Sequence, residues 1–162
     1  MRAVVADTAP LNYLVLISTV EILPRLYERV WIPGVVRDEL AHPNAPQQVR
    51  DWIAQPPSWL IVRSETLATD PGLSFLDPGE SQAIALAAGL PGAMLLMDER
   101  QGSIEARRRG LKTVGTLGVL DDAASRGLVD LSEMFRRLSS TTFRSPLHLM
   151  ARMLEEDALR KK

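Results

Sequence analysis

Four acidic residues of this chain lie beside apolar segments, where a carboxylate is not expected merely as a solvent-exposed side chain. Asp7 and Asp98 each directly follow an apolar run, and Glu39 and Glu80 lie near the apolar faces of two predicted helices. Carboxylates that converge repel each other at neutral pH or acquire raised pKa values, and a hard cation resolves the conflict. Oxygen ligands without His or Cys select Mg²⁺ or Mn²⁺. If their elements meet, the four acids therefore predict a metal site for phosphodiester cleavage by the two-metal scheme, with ions ~4 Å apart.

Asp7 and Glu39 also have structural interpretations. Asp7 fits the N-cap of a helix that starts near residues 9–10, with Thr8 as a competitor for that position. Glu39 follows Val36 by three residues and so lies beside the apolar stripe of its helix, where a half-exposed glutamate needs no function. Neither residue by itself distinguishes a site from ordinary helix structure.

Glu80 has the strongest structural alternative. Asp77 is predicted as an N-cap and Pro78 as the first helical residue, which places Glu80 at capping-box spacing from the cap. Apolar residues also follow Glu80 at plus three, plus four and plus seven, so Glu80 heads the buried stripe of the same helix. Both roles stay open for this residue, and only the joint placement of the four acids favours a site.

The elements that must position these acids alternate along the first three quarters of the chain. Short apolar runs without polar alternation are typical of strands covered on both faces. Five such runs are present, at residues 3–6, 30–32, 60–62, 93–97 and 112–114. Segments with helical spacing lie between them, which predicts a three-layer α/β fold with a central parallel sheet of about five strands. Ligands of such sheets bind at the carboxyl ends of the strands, where Asp7 and Asp98 are expected.

The last part of the chain carries only helical patterns. After Gly127 the strand-like runs stop, and residues 131–138 fit one face of a helix. Ser145 is predicted as the N-cap and Pro146 as the first-turn proline of a final helix. The apolar stripe expected along that helix consists of Leu147, Met150 and Leu154. We expect residues 1–130 to form the α/β domain and residues 131–162 to form a helical extension packed on the same domain.

Composition excludes several classes of protein. The chain has 162 residues, no cysteine and only two histidines, His42 and His148, which argues against a disulfide scaffold, a thiolate metal site and a His-rich zinc centre. The formal net charge of −1 gives no global basic surface, so contact with nucleic acid must come from a local patch. No apolar stretch approaches the roughly 20 residues of a membrane span, and we expect a cytoplasmic protein without a membrane partner.

The order and spacing of short motifs resemble a known family. Asp7-Thr8 follows the first predicted strand, and Glu39 lies on an early helix. Residues 79–81, Gly-Glu-Ser, begin a later helix, residues 97–99 read Met-Asp-Glu, and residues 111–120 close the set. Over about residues 1–130, this pattern is similar to PIN domains, close to a bacterial branch known only as predicted nucleic-acid-binding proteins. The C-terminal helices are then an extension specific to the branch.

The resemblance implies a parallel sheet flanked by helices and a metal-dependent ribonuclease, often the toxin of a toxin–antitoxin pair. It implies Mg²⁺ or Mn²⁺ as cofactor, RNA as substrate and an antitoxin protein as a partner. The acids that match the family's catalytic and metal-binding positions are Asp7, Glu39, Glu80 and Asp98. VapC-type toxins often carry aspartate at the third position, so Glu80 is a departure that lengthens the reach by one methylene. Auxiliary or nucleic-acid-binding roles in the same cleft fall to Thr8, Glu99, Arg100 and Thr116.

Positive charge near the predicted site is modest. Arg100 falls in the first turn after Asp98, within reach of a phosphate. Residues 107–109 are all arginine and directly precede Gly110, where compensation of a helix dipole is the favoured interpretation.

Other enzyme classes lack their sequence signatures here. No glycine-rich phosphate loop follows the first predicted strand, and no serine lies in a nucleophile-elbow context. A receiver-like module needs a lysine after a late strand, whereas Lys112 precedes the run, and a haloacid-type phosphatase needs an aspartate where Ala9 stands.

Two hypotheses remain. The chain is either a metal-dependent endoribonuclease or a catalytically inactive PIN-fold module that binds nucleic acid or protein and whose acids are helix caps. A homodimer is also expected if Trp31, Trp52, Trp59 and the methionines of the C-terminal segment form an apolar patch.

Overall fold

A parallel sheet forms the centre of the fold. The computed structural model describes residues 2–162. Its strands, all within predicted apolar runs or one residue longer, are β1 (Val4–Ala6), β2 (Val30–Pro33), β3 (Leu60–Arg63), β4 (Met94–Leu96) and β5 (Lys112–Val114). They pair in parallel in the order β3-β2-β1-β4-β5. The predicted five-stranded parallel sheet is therefore confirmed.

The strand order places a topological switch at the centre of the sheet. Strand β1 pairs on one side with β2, through Val4 opposite Val30, and on the other side with β4, through Ala6 opposite Leu96. Connections leave β1 and β4 in opposite directions along the sheet, which opens a crevice at their carboxyl ends. Asp7 and Asp98 follow these two strands.

Helices connect the strands and cover both faces of the sheet. Their bounds are α1 (Thr8–Leu16), α2 (Leu23–Leu26), α3 (Gly34–Leu40), α4 (Gln47–Ala54), α5 (Pro78–Ala88), α6 (Arg100–Arg108), α7 (Thr116–Ser125), α8 (Leu131–Ser139) and α9 (Leu147–Arg160). Short 3₁₀ turns precede α2 at Val20–Ile22 and α5 at Pro71–Leu73.

Alternate residues of each strand pack against different helix layers. On one face, Val4 and Ala6 join a core with apolar residues of α1, α3, α7 and α8. On the other face, Val5 and Leu95 pack with residues of α5 and α6. Because side chains alternate along a strand, two apolar faces require two covering layers. The three-layer α/β architecture predicted for this chain is confirmed.

The C-terminal helices pack against the same core, with two differences from prediction. Leu131, Leu138 and Met150 are buried there. The last helix begins at Leu147, so Pro146 and not Ser145 occupies the N-cap position. Leu147 is 72% exposed and not part of the buried stripe. The inner face of α9 runs instead from Met150 through Leu154 to Asp157, and the helix contacts α7 and α8.

The tryptophans do not form an exposed patch. Trp52 and Trp59 pack against the main core and against each other with ring centroids 6.0 Å apart. Trp31 packs against the core under α5 and α6. Each tryptophan is therefore partly buried within the chain. These three side chains do not supply the apolar patch predicted for a homodimer.

Within the described residues, none of the helices combines the length and the apolar character that crossing a bilayer requires.

Candidate acidic site at the carboxyl edge of the sheet

The four acids Asp7, Glu39, Glu80 and Asp98 form the acidic group, and Asp7 is its buried centre. Asp7 follows β1, and its backbone N–H donates to Leu96 O at 2.9 Å, which anchors it beside the end of β4. Although Asp7 is at the N-cap position of α1, its side chain makes no capping hydrogen bond. Burial raises the pKa of Asp7 to about 7, the Thr8 backbone N–H opposes the rise, and the charges of Asp77, Glu39 and Asp98 add to it. The N-cap interpretation therefore does not account for this carboxylate.

Glu39 reaches the same place from α3. The Thr8 hydroxyl donates to Glu39 Oε2. Burial raises the pKa of Glu39, the Thr8 hydrogen bond lowers it, and the negative charge of Asp77 raises it further. The carboxylate also lies against Gly79: the Cβ of an alanine at position 79 would be only 2.6 Å from Glu39 Oε1. Glu39 is thus held between the first residue of α1 and the first turn of α5.

Glu80 forms the predicted capping box with Asp77. Its backbone N–H donates to Asp77 Oδ1 at 2.8 Å, and the Asp77 N–H donates to Glu80 Oε2 at 3.3 Å. Glu80 is nevertheless buried, at 8% exposure. Burial, the adjacent Asp77 carboxyl and the charge of Asp7 together raise the pKa of Glu80. The residue caps its helix, and its buried carboxyl also lies close enough to Asp7 to respond to that residue's charge.

Asp98 follows β4 and is held by the start of α7. Its Oδ1 accepts from Thr116 N at 2.7 Å and its Oδ2 accepts from the Thr116 hydroxyl at 2.6 Å. An alanine Cβ at Gly115 would stand 2.8 Å from Asp98 Oδ1, so this carboxylate also rests against a glycine. Burial raises the pKa of Asp98, and the two Thr116 hydrogen bonds oppose the rise.

These acids share one electrostatic environment. The charges of Glu39 and Asp98 raise the pKa of Asp7, and the charge of Asp7 raises that of Glu80. Asp77, which sequence reasoning assigned only to capping, raises the pKa of Asp7, Glu39 and Glu80. The signal that points to Asp77 is its place at the head of the helix that carries Glu80, because that helix start faces the same edge of the sheet.

The four residues predicted to have auxiliary roles, Thr8, Glu99, Arg100 and Thr116, differ in the partners of their side chains. Thr8 and Thr116 each hydrogen-bond one acid of the group. Glu99 caps α6, since its Oε2 accepts from Gly102 N at 2.6 Å, and its side chain is turned to its own helix. Arg100 is the exposed first residue of α6, and it has no ion pair or hydrogen-bonded side-chain partner among residues 2–162.

The arginines at the end of α6 form ion pairs within the chain. Arg109 pairs with Glu105 at 3.0 Å and with Asp70 of the loop before α5 at 3.1 Å. Arg108 pairs with Glu105 at 3.1 Å. These contacts fasten the loop to α6 and neutralise Glu105, which leaves Arg100 as the cation that directly follows the acidic edge.

The donor set fits a hard divalent cation. Within residues 2–162, no three Asp, Glu, His or Cys side chains are grouped closely enough to hold a metal ion together. Mg²⁺ commonly takes one or two carboxylates directly and keeps several water ligands. Asp7 and Asp98, which follow adjacent strands and whose pKa values burial raises, fit that pattern.

Comparison with known proteins supports this assignment of the fold. Searches of curated proteins and of solved structures returned no match. A family model described as PIN domain matches residues 3–158, which include all five strands, the four acids and most of α9. The resemblance inferred from the sequence motifs is thus confirmed: the chain belongs to the PIN-domain family, whose fold is of the nuclease type.

Proposed function

We propose that this protein is a Mg²⁺- or Mn²⁺-dependent endoribonuclease that cleaves phosphodiester bonds at the acidic edge of its sheet. The observation that carries the proposal is the approach of Asp7, Glu39, Glu80 and Asp98 from four separate elements. Burial raises the pKa of the Asp7 carboxyl to about 7, and the charges of Asp77, Glu39 and Asp98 add to the rise. A fold gains no stability from such an arrangement in the absence of a counter-cation. Selection for a cation-binding function explains it.

The residues divide the work of the site. Asp7 and Asp98 would hold the metal, while Glu39 and Glu80 would bind through its water ligands. When bound, the cation supplies a counter-charge for the scissile phosphate and lowers the pKa of a water nucleophile. Thr8 and Thr116 fix the orientation of Glu39 and Asp98 by hydrogen bonds to their carboxylates. Arg100 would bind a non-bridging oxygen of a neighbouring phosphate.

Metal-induced stabilisation tests the binding half of the proposal. Millimolar Mn²⁺ is expected to raise the melting temperature of the wild type by several degrees, because the ion binds the folded state alone. Asp7→Asn and Asp98→Asn are expected to lose that rise. Asp38→Asn is the matched control, since Asp38 lies beside Glu39 on α3 but has a side chain that is 71% exposed. Equal responses in all four proteins would contradict the proposal.

RNA cleavage tests the catalytic half. Wild type and Asp38→Asn are expected to cut a mixed single-stranded RNA pool with Mn²⁺ and to stop when a chelator is added. Asp7→Asn and Asp98→Asn are expected to be inactive. Cleavage that survives both the chelator and the Asp98→Asn substitution would exclude the mechanism.

A second candidate is a catalytically inactive module that binds nucleic acid or protein. A specific observation favours it: three of the four acids already have hydrogen-bond partners within the chain, which are Thr8 for Glu39, the Asp77 backbone for Glu80, and Thr116 for Asp98. In this case the chain binds RNA or a protein without cutting RNA and melts at the same temperature with and without Mn²⁺.

The partners expected from the resemblance belong to the same proposal. As the toxin of a toxin–antitoxin pair, the protein would be cytoplasmic and restrained by an antitoxin that covers the acidic edge. Co-expression with the product of a small neighbouring reading frame, followed by co-purification, tests this role. Sedimentation at micromolar concentration tests the proposed homodimer, for which exposed Leu147 and Leu159 of α9 are available apolar side chains.

A further inference from the structure

A recess of about 240 Å³ opens beside the acidic site, between the starts of α3 and α5 and the chain that leaves β3. Its walls belong to the helices that carry two of the acids. Val35 lies one turn before Glu39 on α3, and Pro78 and Ser81 lie on the first turn of α5 with Glu80. A group bound in this recess is therefore about one helical turn from the acidic site.

The recess is preformed because its outer wall is fastened to both helices. The Gln82 side-chain amide donates to Leu67 O at 2.8 Å, and its oxygen accepts from Leu67 N at 2.9 Å. On the other side, an alanine Cβ at Gly34 would stand 3.1 Å from Ser64 O, so the start of α3 and the end of β3 are in close contact. A rigid wall lowers the entropic cost of binding a ligand.

The lining favours a neutral group over a phosphate. No Lys or Arg lines the recess, whereas phosphate sites in proteins rely on such cations. Val35 and Pro78 supply apolar surface. The hydroxyls of Ser64 and Thr66 have no hydrogen-bond partner within residues 2–162 and are free to bind polar edges.

Glu65 adds a preference to this lining. Arg63 Nε donates to Glu65 Oε1 at 2.7 Å, which leaves the second carboxylate oxygen free to accept. A carboxylate accepts readily from the exocyclic amino group of a base, as Glu and Asp do from cytosine N4. Uracil has no such amino group.

We propose that this recess binds one nucleobase of the RNA strand, next to the phosphate at the acidic site, and selects bases that carry an exocyclic amino group. The inference rests on the proposed nuclease function and adds its base preference. In this proposal, phosphate and metal bind at the acidic edge. The base enters the recess, whose lining has no Lys or Arg and includes Val35 and Pro78.

Cleavage-site mapping on a random single-stranded RNA pool tests the inference. The wild type is expected to favour adenine, cytosine or guanine over uracil roughly tenfold at one position beside the cut, within the range of a good base contact. Thr66→Trp fills the recess and is expected to reduce the preference below twofold. Ala68→Trp, an equal substitution at an exposed position of the same loop that does not line the recess, is the matched control and should keep it. Glu65→Ala removes the acceptor without filling the recess and is expected to abolish discrimination against uracil.

Binding without cleavage separates failure of the inference from failure of the nuclease proposal. Labelled six-nucleotide oligo(A) and oligo(U) are titrated in chelator, and the wild type is expected to bind oligo(A) more tightly, a difference that Thr66→Trp loses. A wild type that cleaves without base preference, or a folded Thr66→Trp that keeps the preference, overturns the inference and leaves the nuclease intact. If the wild type does not cleave, the nuclease proposal fails, and equal affinity for the two oligonucleotides then overturns the recess as well.

Discussion

The carboxylate of Glu39 occupies the space that a side chain at Gly79 would need: its Oε1 stands 2.6 Å from the Cβ position of an alanine there. The second carboxylate oxygen accepts from the Thr8 hydroxyl. A glycine in the first turn of α5 therefore allows a glutamate from α3 to reach the acidic site. Glycine is needed at position 79 for space and not for an unusual backbone conformation, because the φ of Gly79 is not positive.

Gly79→Ala is expected to displace Glu39 and to impair function more than stability. Alanine favours helix by about 1 kcal/mol over glycine, which offsets part of the steric cost. We expect cleavage to fall at least tenfold and the Mn²⁺-induced rise in melting temperature to shrink, while the free energy of unfolding changes by less than about 2 kcal/mol. Gly89→Ala at the other end of α5 is the control, since its nearest atoms would be 3.7 Å away. Full metal response in Gly79→Ala would show that Glu39 has no part in binding.

Without metal, the buried Asp7 carboxyl is expected to make stability depend on pH. Its pKa is 3.8 in an unfolded chain and about 7 in the fold. Because the folded state holds the proton more tightly, this group's contribution to stability falls as pH rises from about 4 to about 7 and is constant above that range. Asp7→Asn removes the part of the pH dependence that this carboxyl contributes.

Urea unfolding in chelator measures this effect. At pH 8 we expect Asp7→Asn to be more stable than the wild type by on the order of 2–4 kcal/mol, with the gap closing towards pH 4. The neighbouring Glu39, Glu80 and Asp98 shift in the same direction, so some of the wild type's dependence persists in the variant. An Asp7→Asn protein no more stable than the wild type at pH 8 would be inconsistent with a buried, uncompensated charge.

Thr116→Val is expected to release Asp98. Thr116 is fully buried, and its hydroxyl donates to Asp98 Oδ2 at 2.6 Å. Loss of a hydrogen bond to a charged group costs about 2 kcal/mol. Denaturant unfolding should show that cost, and Mn²⁺ should stabilise the variant less than the wild type. Thr116→Ser keeps the hydroxyl and is expected to retain the metal response. Wild-type stability and cleavage in Thr116→Val would contradict a positioning role.

Ser18→Gly is expected to stabilise the fold without touching the site. Ser18 has a φ of 58° in the turn that ends α1, where Thr19 N donates to Leu14 O at 2.9 Å. This left-handed position of a helix end favours glycine. We expect a gain of about 1 kcal/mol in the free energy of unfolding and unchanged cleavage. Ser18→Ala retains the backbone strain and should give no gain; a loss of stability in Ser18→Gly would refute the argument.

The sheet could be predicted because four of its five strands lie in short apolar runs, whereas β5 (Lys112–Val114) is the weaker signal. Runs such as residues 3–6 and 93–97 carry no polar alternation, and burial on both faces is the physical condition that selects such a pattern. The start of α5 was equally readable, since Asp77, Pro78 and Glu80 satisfy a local capping rule that does not depend on the rest of the fold. In contrast, α9 begins one residue later than the sequence predicts, and Leu147 lies outside its buried face, which begins at Met150. Where a helix first meets its neighbours is not a local property.

The sequence by itself determined which acids end the strands and head the helices, because local periodicity and capping depend on near neighbours along the chain. Only the tertiary structure decided how Glu39 and Asp98 are held, since their partners are remote in sequence. Glu39 rests on Gly79, Asp98 rests on Gly115 and Thr116, and Asp77 adds its charge to Asp7 and Glu39 from two other elements. Close approach and electrostatic coupling act through space, so no spacing rule along the chain reports them.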